Sequence, residues 1–318
     1  MPPARIHFPS ELSLIPSRSP ARRLTVTGGE PLLAYLLGAL GLKRAAVKKL
    51  LKFGAVSVNG TTVRQFDHPL VSGDEVLVEQ AQAAVATSRL ERAQIHVVYE
   101  DDALVVLDKP VGLLTVATDD ENRDTLLFRL NEFLRLRDSA HPERAFVVHR
   151  LDRETSGLVL FAKSAKVKRL LQESWPAVEK IYHAVVERPP DQDQGTITSY
   201  LTETTALEVF SNDHPTPDGR LAVTRYRLLE TRGWFSLLEV YLDTGRKHQI
   251  RVHLAEIRCR VTGDRRYRAR HDPFGRLALH ASRMTLVHPV TGEPLCIESR
   301  APAQMRKWFP KWLARGGG

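Results

Sequence analysis

Val147-Val148-His149-Arg150-Leu151-Asp152-Arg153-Glu154-Thr155-Ser156-Gly157-Leu158-Val159-Leu160-Phe161 sets a short polar insert between two apolar runs. The runs, Ala145 to Val148 and Leu158 to Ala162, have the length and the Val/Leu/Phe content of buried strands. Ser156 and Gly157 punctuate the start of the second. His149, Arg150, Asp152 and Thr155 are therefore expected on a loop between two core strands, where a rigid scaffold presents catalytic groups. Bracketed by Arg150 and Arg153, the Asp152 carboxylate is expected to stay ionised at neutral pH, because the cations favour its charged form. Such a carboxylate can serve as nucleophile or base. The same residues also fit a surface turn closed by an Arg–Asp ion pair.

The rest of the chain bounds the partner. The 318 residues suffice for one large domain or two unequal ones. A formal charge of +9 points to an acidic partner such as nucleic acid. Two cysteines, Cys259 and Cys296, are too few for a disulfide framework or a cysteine-rich zinc site, and they suit a reducing compartment. No apolar run reaches membrane-spanning length, and the N-terminus lacks the apolar core of a secretory signal. Residues 1–23, rich in Pro and Arg, read as a disordered basic tail, with a transit peptide as the alternative.

Residues 24–80 read as a small module. Pro31 to Leu40 is expected to form a helix closed by Gly41. Lys43 to Phe53 reads as a second helix, with Val47, Leu50 and Leu51 on its apolar stripe and Lys43, Arg44, Lys48, Lys49 and Lys52 on the other face. Val56, Val58 and Val63 alternate around Asn59-Gly60, a hairpin turn, and Val71 to Val78 supplies a turn and another strand. The lysine face suits phosphates of structured RNA, although an isolated lysine-rich face is more commonly just solvated. Residues 81–94 read as a linker with room for one helical turn.

From Ile95 onward, strands are expected at 95–99 and 104–107, followed by the loop Asp108-Lys109-Pro110-Val111-Gly112-Leu113 and a helix over Thr125 to Arg135. Lys180 to Val186 reads as a strand that carries Tyr182; a tyrosine there can stack on a base or simply pack. In Thr244-Gly245-Arg246-Lys247-His248-Gln249-Ile250-Arg251-Val252-His253-Leu254 a helix is expected to begin near Lys247 with Ile250 and Leu254 facing the core. His248 and His253 are five apart, not the four that places two metal ligands on one helical face.

Three motifs carry a family resemblance. His149-Arg150-Leu151-Asp152-x-x-Thr155-Ser156-Gly157-Leu158 resembles the active-site motif of the RluA-type pseudouridine synthases. Lys180-x-Tyr182-x-Ala184 and Gly245-Arg246-x-His248-Gln249-Ile250-Arg251-Val252-His253 resemble two further motifs of that family. The resemblance covers residues 95–313 and implies that Asp152 is the catalytic carboxylate, that Arg246 pairs with it, and that Tyr182 and Leu279 sandwich the uracil. It further implies that Arg150 fills the space left by an everted base, with His149, Thr155, His248 and Arg251 as additional substrate contacts. Residues 24–80 are similar to the RNA-binding module of ribosomal small-subunit protein four. The sequence departs from the family at Arg258-Cys259-Arg260, where a Gly-x-Pro is usual, and at Arg268, where a Gly usually follows the Tyr; Arg265, Arg266, Arg268 and Arg270 load this loop.

The resemblance implies an α+β chain: a small α/β RNA-binding module, then a catalytic domain with a mixed, mainly antiparallel sheet and a central cleft. It implies a monomeric cytoplasmic enzyme that isomerises uridine to pseudouridine in RNA, most commonly ribosomal RNA of the large subunit and in some members transfer RNA. No cofactor or metal is expected. A non-catalytic RNA-binding assembly factor is the alternative. A phosphotransferase, suggested by the His-Arg-Leu-Asp word, lacks a glycine-rich nucleotide loop and an Asp-Phe-Gly motif.

Overall fold

The computed structural model describes residues 22–78, 87, 89–118, 124–137, 143–204 and 208–313. The tail 1–21, part of the linker and the last five residues lie outside them. The described residues divide into two compact units, one made of those within 22–96 and 127–145, the other of those within 97–126 and 146–313.

The first unit holds β1 (Arg22–Thr25), α1 (Leu32–Leu40), α2 (Arg44–Lys52), β2 (Val56–Val58), β3 (Thr61–Thr62) and β4 (Glu75–Val78), with an antiparallel sheet in the order β1-β4-β2-β3. Pro31 precedes α1 with extended backbone, and Gly41 closes the helix at φ +64° with its N–H on Leu37 O. The apolar stripe of α2 is buried at Val47, Leu50 and Leu51 against Leu32, Leu36, Val56 and Val76. Lys43, Arg44, Lys48, Lys49 and Lys52 remain exposed. Asn59 and Gly60 take φ of +49° and +81°, as a two-residue hairpin turn between β2 and β3 requires. Strand β1 includes Arg22 and Arg23, which the sequence places in the tail. It is short, polar and mostly exposed at the sheet edge, so alternation cannot reveal it. Residues 89–92 are helical. The helix α3 (Leu126–Arg137) groups with this unit from residue 127 on.

The second unit is built on one large sheet. Its strands are β5 (His96–Glu100), β6 (Leu104–Lys109), β7 (Phe146–Val147), β8 (Ser156–Ala162), β9 (Glu179–Glu187), β10 (Gln194–Glu203), β11 (Val209–Asn212), β12 (Arg220–Arg232), β13 (Phe235–Leu242), β14 (Leu279–Val287) and β15 (Pro294–Glu298). The order is β11-β10-β12-β13-β9-β14-β8-β6-β5, with β15 beside β14 and β7 beside β8. The β8–β14 pair is parallel, while β9 is antiparallel to both β13 and β14, so the sheet is mixed and mainly antiparallel. Helices α4 (Ala165–Ser174), α5 (Gln249–Glu256), α6 (Ala303–Trp308) and α7 (Pro310–Leu313) complete the unit. All seven residues of β8 are buried, which explains its unbroken apolar run. Gly157 lets β8 approach β14: a Cβ there would lie 2.2 Å from the Ala281 carbonyl oxygen, and its φ is +113°. Among the described residues no helix is long and apolar enough to cross a membrane.

Candidate active site

Asp152 sits in the tight turn between β7 and β8, with its backbone carbonyl accepting from Thr155 N at 3.2 Å. The neighbouring loop 109–115 holds this turn from both sides. Thr115 Oγ1 donates to Leu151 O at 2.9 Å and accepts from Leu151 N at 3.1 Å. Gly112 N and Lys109 Nζ both donate to Arg153 O, at 2.8 and 3.1 Å. Lys109 is fully buried, and its Nζ also donates to the carbonyls of Pro110 and Leu113. Burial pulls its pKa down to about 7, against the pull of the Asp152 charge. The Lys-Pro-x-Gly stretch thus fixes the backbone that carries the carboxylate.

The Asp152 side chain borders a small cavity of about 80 Å³, which is also lined by Arg150, Thr155, Tyr182, Leu279, Arg246, His248 and Arg251. Tyr182 and Leu279 come from β9 and β14, adjacent strands registered so that Ala281 opposes Tyr182 and Leu279 opposes Ala184. Both side chains are buried. Burial, and then the Asp152 charge, push the Tyr182 phenol well above its ordinary range, so it stays protonated. Eight of the expected site residues, Arg150, Asp152, Thr155, Tyr182, Arg246, His248, Arg251 and Leu279, thus meet at one cavity.

The ion pair departs from expectation. Arg251, not Arg246, faces the carboxylate: its Nη1 lies 3.6 Å from Asp152 Oδ2 and 3.6 Å from Glu154 Oε2. Arg246 is exposed, and its Nε donates to Leu221 O at 3.1 Å. The cause lies in the start of α5. His248 takes a left-handed backbone, φ +54°, so the helix begins only at Gln249 and Arg251 falls in its first turn. Helical side chains lean toward the N-terminus, which sends the Arg251 guanidinium back over that turn. Gln249 holds the preceding loop: its Oε1 accepts from Thr244 Oγ1 at 2.7 Å and Arg246 N at 3.0 Å, and its Nε2 donates to Val223 O and Thr224 Oγ1.

Asp264 orients Arg251, accepting from its Nε at 2.7 Å and its Nη2 at 2.8 Å. Asp264 Oδ1 also accepts from Tyr267 N, and the Tyr267 ring lies 5.2 Å from the Arg251 guanidinium. The Tyr267 hydroxyl pairs with His248 Nδ1 at 2.9 Å. Burial, and then Arg251, pull the His248 pKa down to about 4, so its imidazole is neutral at pH 7 with Nε2 3.9 Å from Asp152. Gln249, Asp264 and Tyr267 are site residues that the sequence reading missed. Asp264 and Tyr267 lie 13 and 16 residues beyond Arg251, and local spacing says nothing of that contact.

Arg150 and Arg153 were expected to keep Asp152 ionised at neutral pH by favouring its charged form. Burial raises its pKa, while Arg251 and Arg150 pull it down. His149 does not line this cavity. Its Nε2 accepts from Leu160 N at 3.0 Å and its ring stacks on Trp175 at 4.6 Å. Burial lowers its pKa to about 3, which keeps the acceptor nitrogen free.

A carboxylate beside a buried arginine, over a slot walled by a tyrosine and a leucine, can engage a flat, uncharged ring whose sugar lies at the mouth. Comparison with known proteins bears on which ring. Residues 103–256 match the family described as RNA pseudouridylate synthase. An uncharacterised RNA pseudouridine synthase of Mycobacterium bovis is 35% identical over 280 residues, covering 84% of this chain and 89% of the relative. The chain belongs to the RNA pseudouridine synthase family. The synthase is also 34% identical over 279 residues to ribosomal large subunit pseudouridine synthase D of Pseudomonas aeruginosa, with 81% of this chain and 84% of the relative covered. The fold matches the solved structure of human RNA pseudouridylate synthase domain containing 4, with TM-score 0.56, 24% identity, and 70% and 93% of the two chains covered. The synthase is therefore an isomerase that acts on RNA, and the catalytic reading prevails over that of a passive RNA-binding factor.

Proposed function

We propose that this synthase converts uridine to pseudouridine in ribosomal RNA of the large subunit, with Asp152 as the carboxylate that acts on the nucleotide. The convergence of Asp152, Arg251, Tyr182 and Leu279 on one cavity carries this reading. The reaction breaks the carbon–nitrogen glycosidic bond, turns the base and rejoins it through carbon, so the pocket must hold an uncharged ring loosely enough to rotate. Tyr182 and Leu279 offer two apolar faces for such a ring. The cavity of about 80 Å³ is far smaller than pockets that enclose whole ligands, which run to ~300–1,000 Å³. It therefore admits one base, and the target uridine must leave its stack to enter. Arg150, exposed at the rim, is the residue that would take the vacated space. A wider trough of about 610 Å³, lined in part by Glu203, Asp218, Arg220, Arg246 and Lys247, adjoins the cavity and gives room to the nucleotides on one side.

The first unit would serve as an RNA-binding module of the ribosomal protein S-four kind. Its two helices on a small sheet, with five exposed cations along α2, support that role. The choice of large-subunit RNA follows the Pseudomonas relative's name.

Pseudouridine mapping at nucleotide resolution in cells with and without the protein tests the proposal. One or more large-subunit sites should disappear without it and return on expression of the wild type, not of Asp152→Ala. Sites lost only from transfer RNA would overturn the substrate assignment.

A further inference from the structure

The arginine-rich loop and an exposed tryptophan form a surface that the reaction at Asp152 does not use. Loop 264–271 reads Asp264-Arg265-Arg266-Tyr267-Arg268-Ala269-Arg270-His271. At its start it is fastened to the active site by Asp264 on Arg251 and Tyr267 on His248. Its end is fastened to β9, where the buried Glu187 carboxylate accepts from Arg270 N and His271 N. The loop closes on itself, with Gly263 N donating to His271 O and Ala269 N to Asp264 O, both at 2.9 Å. It presents Arg265, Arg266, Arg268 and Arg270 exposed. Along β9, Tyr182 at the cavity and Glu187 under the loop's end are five residues apart, about 17 Å. Arg268 sits at φ +62°, where glycine is at ease and an arginine is strained. At the far anchor, in the turn between β12 and β13, Trp234 is 62% exposed and has the His271 ring 6.4 Å away. Arg188, also exposed, hydrogen-bonds through its N–H to Trp234 O. A large aromatic face left in solvent, among arginines, is the chemistry of a single-stranded nucleic-acid platform.

We propose that loop 264–271 and Trp234 form a second RNA-contact surface, which carries an unpaired strand from the catalytic cavity to a base stacked on Trp234. The arginines neutralise phosphates along the way, while Trp234 and His271 give a sequence-tolerant anchor. The inference rests on the reading of this chain as an enzyme of RNA, and it adds a contact remote from the isomerised base.

The test uses the full chain as wild type, Trp234→Ala, Trp234→Phe and a triple Arg265→Gln, Arg268→Gln, Arg270→Gln variant. Binding of a fluorescent single-stranded oligouridylate is followed by anisotropy over a range of salt. Turnover is measured on large-subunit ribosomal RNA. Trp234→Ala should weaken binding about tenfold and Trp234→Phe much less, since a phenyl ring still stacks. The triple variant should lower the slope of log affinity against log salt by about 2, for three lost phosphate contacts. Both losses should appear more in KM than in kcat. Wild-type affinity and salt slope in Trp234→Ala and the triple variant would overturn the surface. So would unchanged RNA binding with loss of a co-purifying protein, which would make it a protein-docking face. If the wild type binds the oligouridylate and the variants do not, yet no uridine is isomerised, the proposed function fails and the surface stands.

Discussion

Arg251 spends two of its nitrogens on Asp264, at 2.7 and 2.8 Å, and holds the third, Nη1, 3.6 Å from Asp152. That third nitrogen is buried and makes no hydrogen bond. A buried donor without a partner is costly, by about 1–3 kcal/mol, and is found where function requires it. Here the cost leaves a fixed positive charge against the carboxylate without a hydrogen bond that would occupy it. The arrangement explains how Asp152 keeps its reach into the cavity while being electrostatically restrained.

The acidity of Asp152 sets the first prediction. Burial raises its pKa, and Arg251 and Arg150 pull the other way. If the ionised form is the active one, kcat/KM should rise with pH through an ionisation above the ordinary carboxylate range. Replacing Arg251 by Gln removes a cation that favours the charged form, so the rising limb should move to higher pH. A pH–rate profile of both proteins checks the direction. A shift downward would contradict it.

The two candidate arginines separate cleanly. Arg251→Ala should lower kcat by more than about a hundredfold, the scale of removing one aimed electrostatic group. It should also destabilise the fold by about 3–5 kcal/mol, because Asp264 is left buried and unpaired. Arg246→Ala removes an exposed side chain bonded to a carbonyl. It should leave the melting temperature nearly unchanged and act mainly on KM. Steady-state kinetics with thermal melts of the two variants distinguish them.

Much of the site is legible in the sequence because it lies on strands. Asp152 lies in the loop before β8, Tyr182 within β9 and Leu279 at the start of β14; the apolar runs locate these strands, and the resemblance to the synthase motifs, not alternation, singles out the three residues. That Arg251 rather than Arg246 pairs with Asp152 has a local reason. The start of α5 depends on the left-handed backbone at His248, which no apolar periodicity signals. His149 differs: a histidine beside this motif reads as chemistry, and here its Nε2 accepts from the backbone N–H of Leu160. The Arg251–Asp264 contact crosses a loop, and only the folded chain shows it.

Gly157 is a steric requirement. An alanine Cβ would stand 2.2 Å from Ala281 O and 2.6 Å from Ala281 N, at a φ that L-residues avoid. Since backbone cannot give way as a flexible side chain does, Gly157→Ala should cost about 3 kcal/mol or more. Chemical denaturation should show a lower midpoint with little change in slope.

Acid should destabilise this protein early. Burial pulls His149 and His280 down to about 3, and His183, His248 and His253 to about 4. They are neutral in the folded state, while the unfolded chain takes up protons below about pH 6.5. Stability from these groups is complete above that pH and falls as pH drops toward the folded values, by up to about 1.4 kcal/mol per histidine per unit. Melting temperatures should be flat from pH 7 to 8 and drop steeply from 6 to 5. A flat profile down to pH 5 would contradict the burial of these imidazoles.

Asp152→Asn keeps the size and position of the side chain and removes only its charge. The most direct measurement is pseudouridine formation by this variant under single-turnover conditions with large-subunit RNA, alongside RNA affinity. The account predicts no detectable isomer with near-wild-type binding. Pseudouridine formed at a rate close to that of the wild type would contradict it.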